Sequence, residues 1–425
     1  MLFRILTIIA IILLTTITII TLLPGTSSFE QWDCTQDMCA QTTITRATTC
    51  KGETGIYLEY CRTTRNTTNI TIQTDNENFI TTKITQEQYN IEEIPVQHRI
   101  RDMIVRNNLL YYTTITGELI LHNLTTNQET IIKLDKEIAD GLLGIALHPN
   151  KTNKVYLYLY ATDIREVPLD INNETIDPLH NRVSSFIIHN NSLTNQTILL
   201  DNIPGNGGHV SGKLLIKNEY LYITTGDSEY QKTNNTQLHE KILETNNLIG
   251  KTLRIYLNGT IPQDNPYNNE VYTYGHRNIL GIATNPQTNS LFVAEHGPWR
   301  HDEINKLTKG HNYGWPAYRC SQEYHNITTN NTAPSYCFDE WTLAPGQITF
   351  IKDENHEWYG SAFVTGLRSQ LIYRLIFEQD NIVDSQVFYF KKEDHNISPR
   401  LRAITYYDGS LYVAGDQEGL IKISP

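Results

Sequence analysis

Two patterns in the chain combine residue types with a spacing that could carry chemistry. His209 opens the run HVSGKLLI, and a histidine that is neutral near pH 7 can take a proton directly from a reacting hydroxyl group. Arg400 and Arg402 lie two positions apart in PRLRAI, so on a strand both guanidinium groups point to one face and can bind one anion. The patterns alone do not require a site, because most of the 14 histidines must be structural or surface residues and paired arginines are commonly solvated.

The elements that would position these residues are β-hairpins. From residue 94 onward, short apolar segments alternate with period two on either side of Gly or Asp turns, as antiparallel hairpins do. The clearest segments lie at 109–124, 155–163, 220–228, 291–298, 362–377 and 411–424. About six such units over roughly 330 residues match the size of four-stranded propeller blades. We therefore predict an all-β protein, a six-bladed β-propeller with four-stranded antiparallel blades over residues 94–425.

The composition agrees with a folded, β-rich protein. Among 425 residues there are 25 Tyr and 3 Met, a usage that suits strands and polar turns better than helices. The hydrophobic fraction of 39% and the aromatic fraction of 10% exclude wholesale disorder. A net charge of −12 without any run of Lys or Arg argues against nucleic acid or an anionic membrane surface as a partner.

Residues 1–25 are predicted to be a signal anchor or a signal peptide. Arg4 precedes an apolar, uncharged stretch of about 19 residues, which is long enough to cross a bilayer as a helix. A small-residue cleavage site is not evident, so an uncleaved membrane anchor is favoured over a cleaved signal. Either alternative predicts an extracytoplasmic protein, anchored at the cell surface or secreted.

Residues 26–93 are predicted to be a Thr-rich, Cys-bearing module or stalk. The six cysteines fall into a group of four, Cys34, Cys39, Cys50 and Cys61, and a distant pair, which in an exported chain indicates disulfides. The group of four allows three connectivities, and a zinc site is disfavoured because there is no C-x-x-C pair and no nearby His. Glycosylation sequons also fit export; among them are Asn66, Asn69, Asn123, Asn173, Asn195, Asn258, Asn326 and Asn396.

Several runs resemble, in order and spacing, the soluble quinoprotein glucose/sorbosone dehydrogenase family. They are DGLLGIALHPN at 140–150, HVSGKLLI at 209–216, LYITTGD at 221–227, GKTLRI at 250–255, IPQDNPY at 261–267, YGHRN at 274–278, AEHGP at 294–298, DEIN at 302–305 and GHNYGWP at 310–316. The most specific part is GHRN followed by EHGP, DEIN and NYGWP. The resemblance covers roughly residues 95–425. It implies a six-bladed propeller that uses pyrroloquinoline quinone (PQQ) and calcium to oxidise an aldose at its anomeric carbon to a lactone.

The resemblance also implies roles for individual residues. His209 stands where the family's H-x-G-G-R run has its catalytic base, and Asp302 matches an acid that helps to hold the base and the substrate. Arg277 and Asn278 match the pair that meets the quinone, with Arg277 stabilising the oxygen that gains charge on reduction. A turn-capping role is the alternative for Asp302.

The cofactor carries three carboxylates, and the resemblance assigns cations to them. Arg400 and Arg402 match the family's R-x-R clamp. Arg368 in TGLRSQ stands where relatives often have Lys, which keeps the charge but changes the contact geometry. Because every one of these residues is cationic, the resemblance implies a positively charged site on an acidic protein.

Calcium ligands are implied as well. Gly297 and Pro298 match residues whose carbonyl groups ligate the ion that polarises PQQ, which also places Gly297 at the cofactor. Glu303 and the carbonyl group of Tyr313 match parts of a second, structural calcium site. Two aromatic side chains, Trp299 and Tyr324, could stack on a sugar, although a packing role is equally consistent with them. Trp315 is expected to pack a turn.

Four residues depart from the family pattern. Asp140 stands where many relatives carry Gln, Ser211 follows His209 where Gly is frequent, Ala403 replaces a common Asp, and Gln347 replaces Ser or Thr. These departures keep a second hypothesis open: a non-catalytic propeller that binds a protein or a glycan, like the related hedgehog-interacting proteins. The retained cationic cradle favours the dehydrogenase, with a sugar substrate and an external electron acceptor; neither is identified by the sequence.

Overall fold

A computed structural model describes residues 70–73, 78–83, 89–134, 139–164, 179–205, 208–228, 236–298, 300–320, 322–323, 330–338, 342–389, 397, 400–417 and 419–424. The chain divides into two compact units, Met1–Lys83 and Ile84–Pro425. In the first unit the described residues form one antiparallel hairpin of β1 (Ile70–Gln73) and β2 (Asn78–Lys83). The predicted membrane segment and the four N-terminal cysteines lie outside the described residues.

The second unit consists of six four-stranded antiparallel blades. The first strand of each blade contacts the first strands of both neighbouring blades, so the six first strands form a closed inner ring. From the inside outwards, the first blade consists of β4 (Asp102–Arg106), β5 (Leu109–Thr113), β6 (Glu118–Asn123) and β7 (Glu129–Lys133), and the second of β8 (Gly141–Leu147), β9 (Lys154–Ile164), β10 (Leu179–His189) and β11 (Ser192–Gly205). The third blade consists of β12 (Ser211–Lys217), β13 (Tyr220–Thr225), β14 (Lys251–Tyr256) and β15 (Val271–Tyr274), and the fourth of β16 (Ile279–Thr284), β17 (Leu291–Glu295), β18 (Asp302–Lys306) and β21 (Tyr336–Phe338). The fifth blade consists of β22 (Pro345–Phe350), β23 (Ala362–Gly366), β24 (Ile372–Glu378) and β25 (Asn381–Tyr389), and the sixth of β26 (Leu401–Tyr407), β27 (Ser410–Gly415), β28 (Leu420–Ser424) and β3 (Asn90–Ile94). The predicted six-bladed propeller is confirmed.

Most predicted strands are present. The segments 109–124, 362–377 and 411–424 form hairpins as expected. The segment 155–163, predicted as a strand pair, is part of the single long strand β9, because its aromatic and branched residues run on without a turn residue. A short hairpin of β19 (Tyr318–Arg319) and β20 (Gln322–Glu323) lies in the chain between β18 and β21.

The ring is closed by strands from opposite ends of the chain. Strand β3 forms the outer strand of the sixth blade by pairing antiparallel with β28, so that Ile91 faces Ile423 and Ile94 faces Leu420. The predicted domain boundary between residues 93 and 94 falls inside this strand. The described part of the propeller therefore begins a few residues before the predicted boundary.

The blades pack face to face through apolar side chains. Strand β8, with the sequence GLLGIAL, is buried along its whole length because blades cover both of its faces. One cluster joins the first and second blades through Leu119, Leu142, Leu157 and Phe186. This packing fixes the positions of the inner strands, from which the candidate site is built.

The direction of the inner strands places the candidate residues on one face. Asp102, the first residue of β4, accepts hydrogen bonds from the Ile145 amide of β8 at 3.1 Å and from the Lys213 ammonium group of β12 at 2.8 Å. The ends of β4 and β8 meet where Arg106 donates to the Leu147 carbonyl at 3.1 Å. The inner strands are therefore parallel, and one face collects their first residues together with the last residues of the second strands.

A single described helix, α1 (Thr236–Leu243), lies between β13 and β14. The buried Lys251 ammonium group donates to the carbonyl oxygens of Ile242, at 2.8 Å, and Ile249. A cation at this end complements the helix dipole and satisfies a carbonyl group of the last turn. Among the described residues, no helix is sufficiently long and apolar to span a bilayer.

Lys251 predicts a pH dependence of stability. Burial lowers the pKa of Lys251 from 10.5 to about 7. Between these values the unfolded chain binds the proton and the folded chain does not, so the free energy of unfolding should rise with pH by up to about 1 kcal/mol per pH unit. Urea unfolding at pH 7, 8 and 9 measures this slope. The Lys251→Met variant should lack it, and equal slopes for both proteins would refute the prediction.

Candidate active site

His209 sits immediately before β12 on the face described above. Its Nδ1 lies 2.8 Å from Oδ1 of Asp227, and its side chain is 16% exposed. The backbone of His209 has φ = 46°, a left-handed conformation that is rare outside glycine and often found at functional sites. Gly226 allows this approach, because a Cβ there would lie 1.6 Å from the His209 carbonyl oxygen. The local backbone thus brings the imidazole against Asp227.

Asp227 is a site residue that the sequence analysis missed. Its carboxylate is buried, and Oδ2 accepts a hydrogen bond from Trp315 Nε1 at 2.9 Å while Oδ1 meets His209. Trp315 was expected only to pack a turn; the structure shows that it also anchors this carboxylate. A weak signal was present, because Asp227 follows a buried strand at the end of the LYITTGD run.

Arg277 and Asn278 directly precede β16 beside this pair. The Arg277 guanidinium lies 5.4 Å from the centre of the Trp315 ring and donates from Nη1 to the His296 carbonyl at 3.2 Å. Its Nε is buried and has no hydrogen-bond partner among the described residues. Asn278 is also buried and accepts at Oδ1 from the Ser211 hydroxyl at 3.3 Å, so the Ser211 departure is accommodated by a contact.

Asp302 is buried at the start of β18 and does not cap a turn of its own segment. Its oxygens accept from the backbone amides of Gly297, at 2.9 Å, and Ala344, at 2.7 Å. Burial raises the pKa of Asp302 to about 7. The carboxylate that contacts His209 is therefore that of Asp227. Asp302 instead binds backbone amides and fixes the backbone around Gly297.

The backbone at Gly297 brings several carbonyl groups together. A Cβ on Gly297 would lie 1.9 Å from the His301 carbonyl oxygen and 2.7 Å from that of Arg300, so only glycine fits. The neighbouring Pro298 carbonyl accepts from the Arg300 amide at 2.8 Å and keeps a second lone pair. Neutral carbonyl oxygens are donors of the kind that calcium accepts, so the predicted positions fit the ion.

Glu303 on β18 lies directly opposite a second buried carboxylate, that of Glu295, on the neighbouring strand β17. Glu303 accepts from the Cys320 amide at 2.6 Å and from Asn305 Nδ2 at 3.0 Å. Its register partner Glu295 binds His276, whose ring stacks on Tyr313 at 4.7 Å. Burial and then the charge of Glu295 raise the pKa of Glu303 to about 8. Two adjacent buried carboxylates fit the predicted structural calcium site, because a cation would relieve their repulsion.

Arg400 and Arg402 converge on one carboxylate, as their spacing predicted. Both donate to Asp416, which follows β27, and the Arg400 contact measures 3.1 Å. A third guanidinium, from Arg101, lies 3.6 Å from the same carboxylate. Ala403 points instead into the apolar core between the sixth and first blades. Arg101, Arg400 and Arg402 therefore surround the carboxylate of Asp416, and we call this group of four residues the rim.

His296 connects this rim electrostatically to the catalytic candidates. Its Nε2 donates to the Pro345 carbonyl at 2.6 Å, and its side chain is half-buried. Desolvation, and then the positive charges of Arg277 and Arg402, lower the pKa of His296 to about 3. The candidate base, the quinone-side arginine and the clamp thus belong to one site.

The remaining candidates are less closely engaged. Arg368 lies in the turn after β23 on the same face, with an exposed side chain. Asp140 is exposed at the start of the second blade. The pKa of Tyr160 is raised first by the burial of Tyr160 itself and then by the negative charge of Asp140. Trp299 and Tyr324 lie outside the described residues.

A disulfide braces the fourth blade next to these residues. Cys320 and Cys337 are bonded, as the pairing of the two C-terminal cysteines predicted, and Cys337 lies opposite Glu303 in the β18–β21 ladder. Replacing both cysteines by serine should lower the free energy of unfolding by about 3 kcal/mol, since the bond closes a loop of 17 residues. Denaturant unfolding measures the change. An effect below about 1 kcal/mol would contradict a bracing role.

The residues of this site match a known family. Residues 102–422 fit the family model described as Glucose / Sorbosone dehydrogenase. The chain belongs to that family. It is 32% identical over 262 residues to quinoprotein glucose dehydrogenase B of Acinetobacter calcoaceticus, covering 55% of this chain and 53% of the relative. It is 28% identical over 239 residues to the aldose sugar dehydrogenase YliI of Escherichia coli, covering 52% and 61%.

Solved structures share the fold of this family member. The soluble aldose sugar dehydrogenase of E. coli, in its apo form, has a TM-score of 0.66 and 22% identity, covering 79% of this chain and 99% of that one. The PQQ-bound aldose sugar dehydrogenase of Streptomyces coelicolor has a TM-score of 0.62 and 21% identity, covering 79% and 98%. The predicted family and its oxidoreductase relatives are thereby confirmed; the roles of the individual residues remain predictions.

Proposed function

We propose that this glucose/sorbosone dehydrogenase family member is a PQQ- and calcium-dependent sugar dehydrogenase that oxidises an aldose to a lactone. The observation that carries the proposal is the His209–Asp227 pair beside Arg277, on the face where three further arginines gather. A base and a cationic anion site on one face are what the reaction needs: one group removes the hydroxyl proton and the other holds an anionic cofactor.

His209 is proposed as the general base. A carboxylate only accepts hydrogen bonds, so its contact with Asp227 Oδ1 keeps the imidazole proton on Nδ1. The Nε2 atom then carries the lone pair that can accept the proton of the anomeric hydroxyl group. Asp227 also stabilises the imidazolium ion that forms, and Trp315 holds Asp227 in place.

The cationic rim fits a ligand with several carboxylates. Three guanidinium groups share the single carboxylate of Asp416, which leaves an excess of positive charge, and the buried Nε of Arg277 still has a donor to offer. When bound, PQQ supplies the quinone that takes the hydride from the anomeric carbon. Arg400, Arg402 and Arg368 would hold its carboxylates, and Arg277 with Asn278 would face the quinone oxygens.

Calcium is proposed at two places. The carbonyl groups of Gly297 and Pro298 would hold an ion with Lewis-acid character next to the cofactor. Glu303 and the Tyr313 carbonyl would hold a structural ion, which would compensate the buried charge that Glu303 shares with Glu295. Both proposals rest on donor chemistry and on the family resemblance.

The export prediction extends the proposal to an extracytoplasmic, membrane-anchored or secreted enzyme. The Cys320–Cys337 bond suits an oxidising compartment, and two sequon asparagines, Asn195 and Asn258, are exposed. The electron acceptor would then be an external carrier.

A titration tests the proposed function. The full-length chain, purified in detergent, is titrated with PQQ in the presence of calcium, and dye reduction is then followed on adding an aldose. Stoichiometric binding, a raised melting temperature and sugar-dependent dye reduction are expected. If micromolar PQQ neither binds nor supports dye reduction, the dehydrogenase proposal fails, and the non-catalytic propeller becomes the better explanation.

A further inference from the structure

Arg101 joins the anion-binding rim from a different blade. Its guanidinium Nη1 lies 3.6 Å from Asp416 Oδ1, the same oxygen that Arg402 contacts, and its side chain is 27% exposed. Burial, and then the positive charge of Arg402, lowers the pKa of Arg101 to about 10. Among the described residues, Asp416 supplies the carboxylate that both guanidinium groups contact, so a second anion would further reduce the repulsion between the two positive charges.

The backbone of Arg101 is fixed by a buried ion pair between two inner strands, β4 and β12. The Lys213 ammonium group donates to the Arg101 carbonyl at 3.2 Å and to Asp102 Oδ1 at 2.8 Å. The Lys213 and Asp102 side chains are 7% and 3% exposed, and Asp102 also accepts from the Ile145 amide. The Arg101 amide donates to the Thr113 carbonyl at 2.8 Å. Three inner strands thus hold the peptide from which the guanidinium projects.

We infer that Arg101 is a cofactor-binding residue that completes a three-arginine site with Arg400 and Arg402, and that the Asp102–Lys213 pair positions it. A carboxylate of the ligand would bind among the guanidinium groups of Arg101, Arg400 and Arg402, whose positive charge Asp416 neutralises only in part. The inference deepens the proposed function and rests on it for the identity of the ligand. It assigns Arg101 a contact with the ligand, and Lys213 an indirect role.

The test compares binding affinities. Quenching of intrinsic fluorescence, without sugar, gives the dissociation constants of PQQ and of benzene-1,3,5-tricarboxylate for the PQQ-free, calcium-loaded wild-type chain and for Arg101→Ala, Arg101→Lys and Arg182→Ala. Loss of a charged hydrogen bond should weaken PQQ binding roughly ten- to a hundredfold in Arg101→Ala, and less in Arg101→Lys. Arg182→Ala, which breaks the half-buried pair with Asp201 at 2.8 Å in the second blade, is the matched control and should bind like the wild type. Thermal melting verifies that each variant is folded.

Lys213 is tested by rescue and by additivity. Lys213→Met should weaken PQQ binding as Arg101→Ala does, Lys213→Arg should restore it, and the double variant should be no worse than Arg101→Ala, because both changes remove the same contact. Equal PQQ affinity of wild type and folded Arg101→Ala would overturn the inference and leave the proposed function intact. If the wild type does not bind PQQ, the proposed function fails; the tricarboxylate then decides separately whether Arg101 serves an anion site.

Discussion

Replacing His209 by alanine is expected to lower the turnover number with PQQ, calcium and an aldose by about a thousandfold or more. The geometry of the His209 imidazole suits proton removal, because Asp227 orients the ring through a hydrogen bond and the missing side chain of Gly226 leaves space for the His209 backbone. Without it the hydroxyl proton must pass to water, which is a far weaker base. Steady-state dye reduction gives the turnover number, and PQQ titration should show an affinity within a few-fold of the wild type.

The control for this change is His189→Ala. His189 is an exposed histidine at the end of β10, away from the site, so its loss should leave the turnover number unchanged. A folded His209→Ala protein that retains more than a tenth of wild-type turnover would exclude His209 as the base. One of the acidic groups would then have to accept the proton.

Asp227→Asn is the second large effect that we expect, about a hundred- to ten-thousandfold in turnover. An asparagine amide can donate to Nδ1, and the ring proton then moves to Nε2, the atom that must accept the proton of the sugar. Because substrate contacts are retained, KM should change much less than the turnover number.

Trp315→Phe is the matched variant for this prediction. It removes the donor to Asp227 Oδ2 and leaves the His209 contact in place, so its loss should be smaller, about tenfold. If Asp227→Asn affected only KM, or if Trp315→Phe were equally damaging, Asp227 would act on packing rather than on the protonation state of His209.

The fold was predictable because its signals are local. Alternation with period two and Gly or Asp turns recur in each hairpin, and the repeat length selects a propeller. Strand β9 was misjudged because nothing in its apolar run distinguishes one long strand from two short ones. Closure through β3 was not foreseen either, since pairing between distant segments leaves no periodic mark.

The site was predictable only where a motif marks it. The pairing of Arg400 with Arg402 followed from strand geometry, and both reach Asp416. Asp416 and Asp227 were missed because each meets its partner across neighbouring strands, and Arg101 because it reaches Asp416 from another blade, far away in sequence. Carbonyl groups such as that of Pro298 carry no side-chain signal at all. Such contacts can be read only once the blades have been assembled.

The seam between β3 and β28 ties the order of synthesis to the order of folding. The strand that completes the sixth blade is made before the first blade, whereas its partner β28 is made after all the other described blade strands. Until β28 emerges, β3 has no partner strand and the ring stays open. A chain that stops after Gly415 should therefore fail as a whole rather than lose one strand, because both edges of the gap would remain unpaired and prone to join other chains. Pairing of residues 420–424 with β3 is therefore the step that closes the ring.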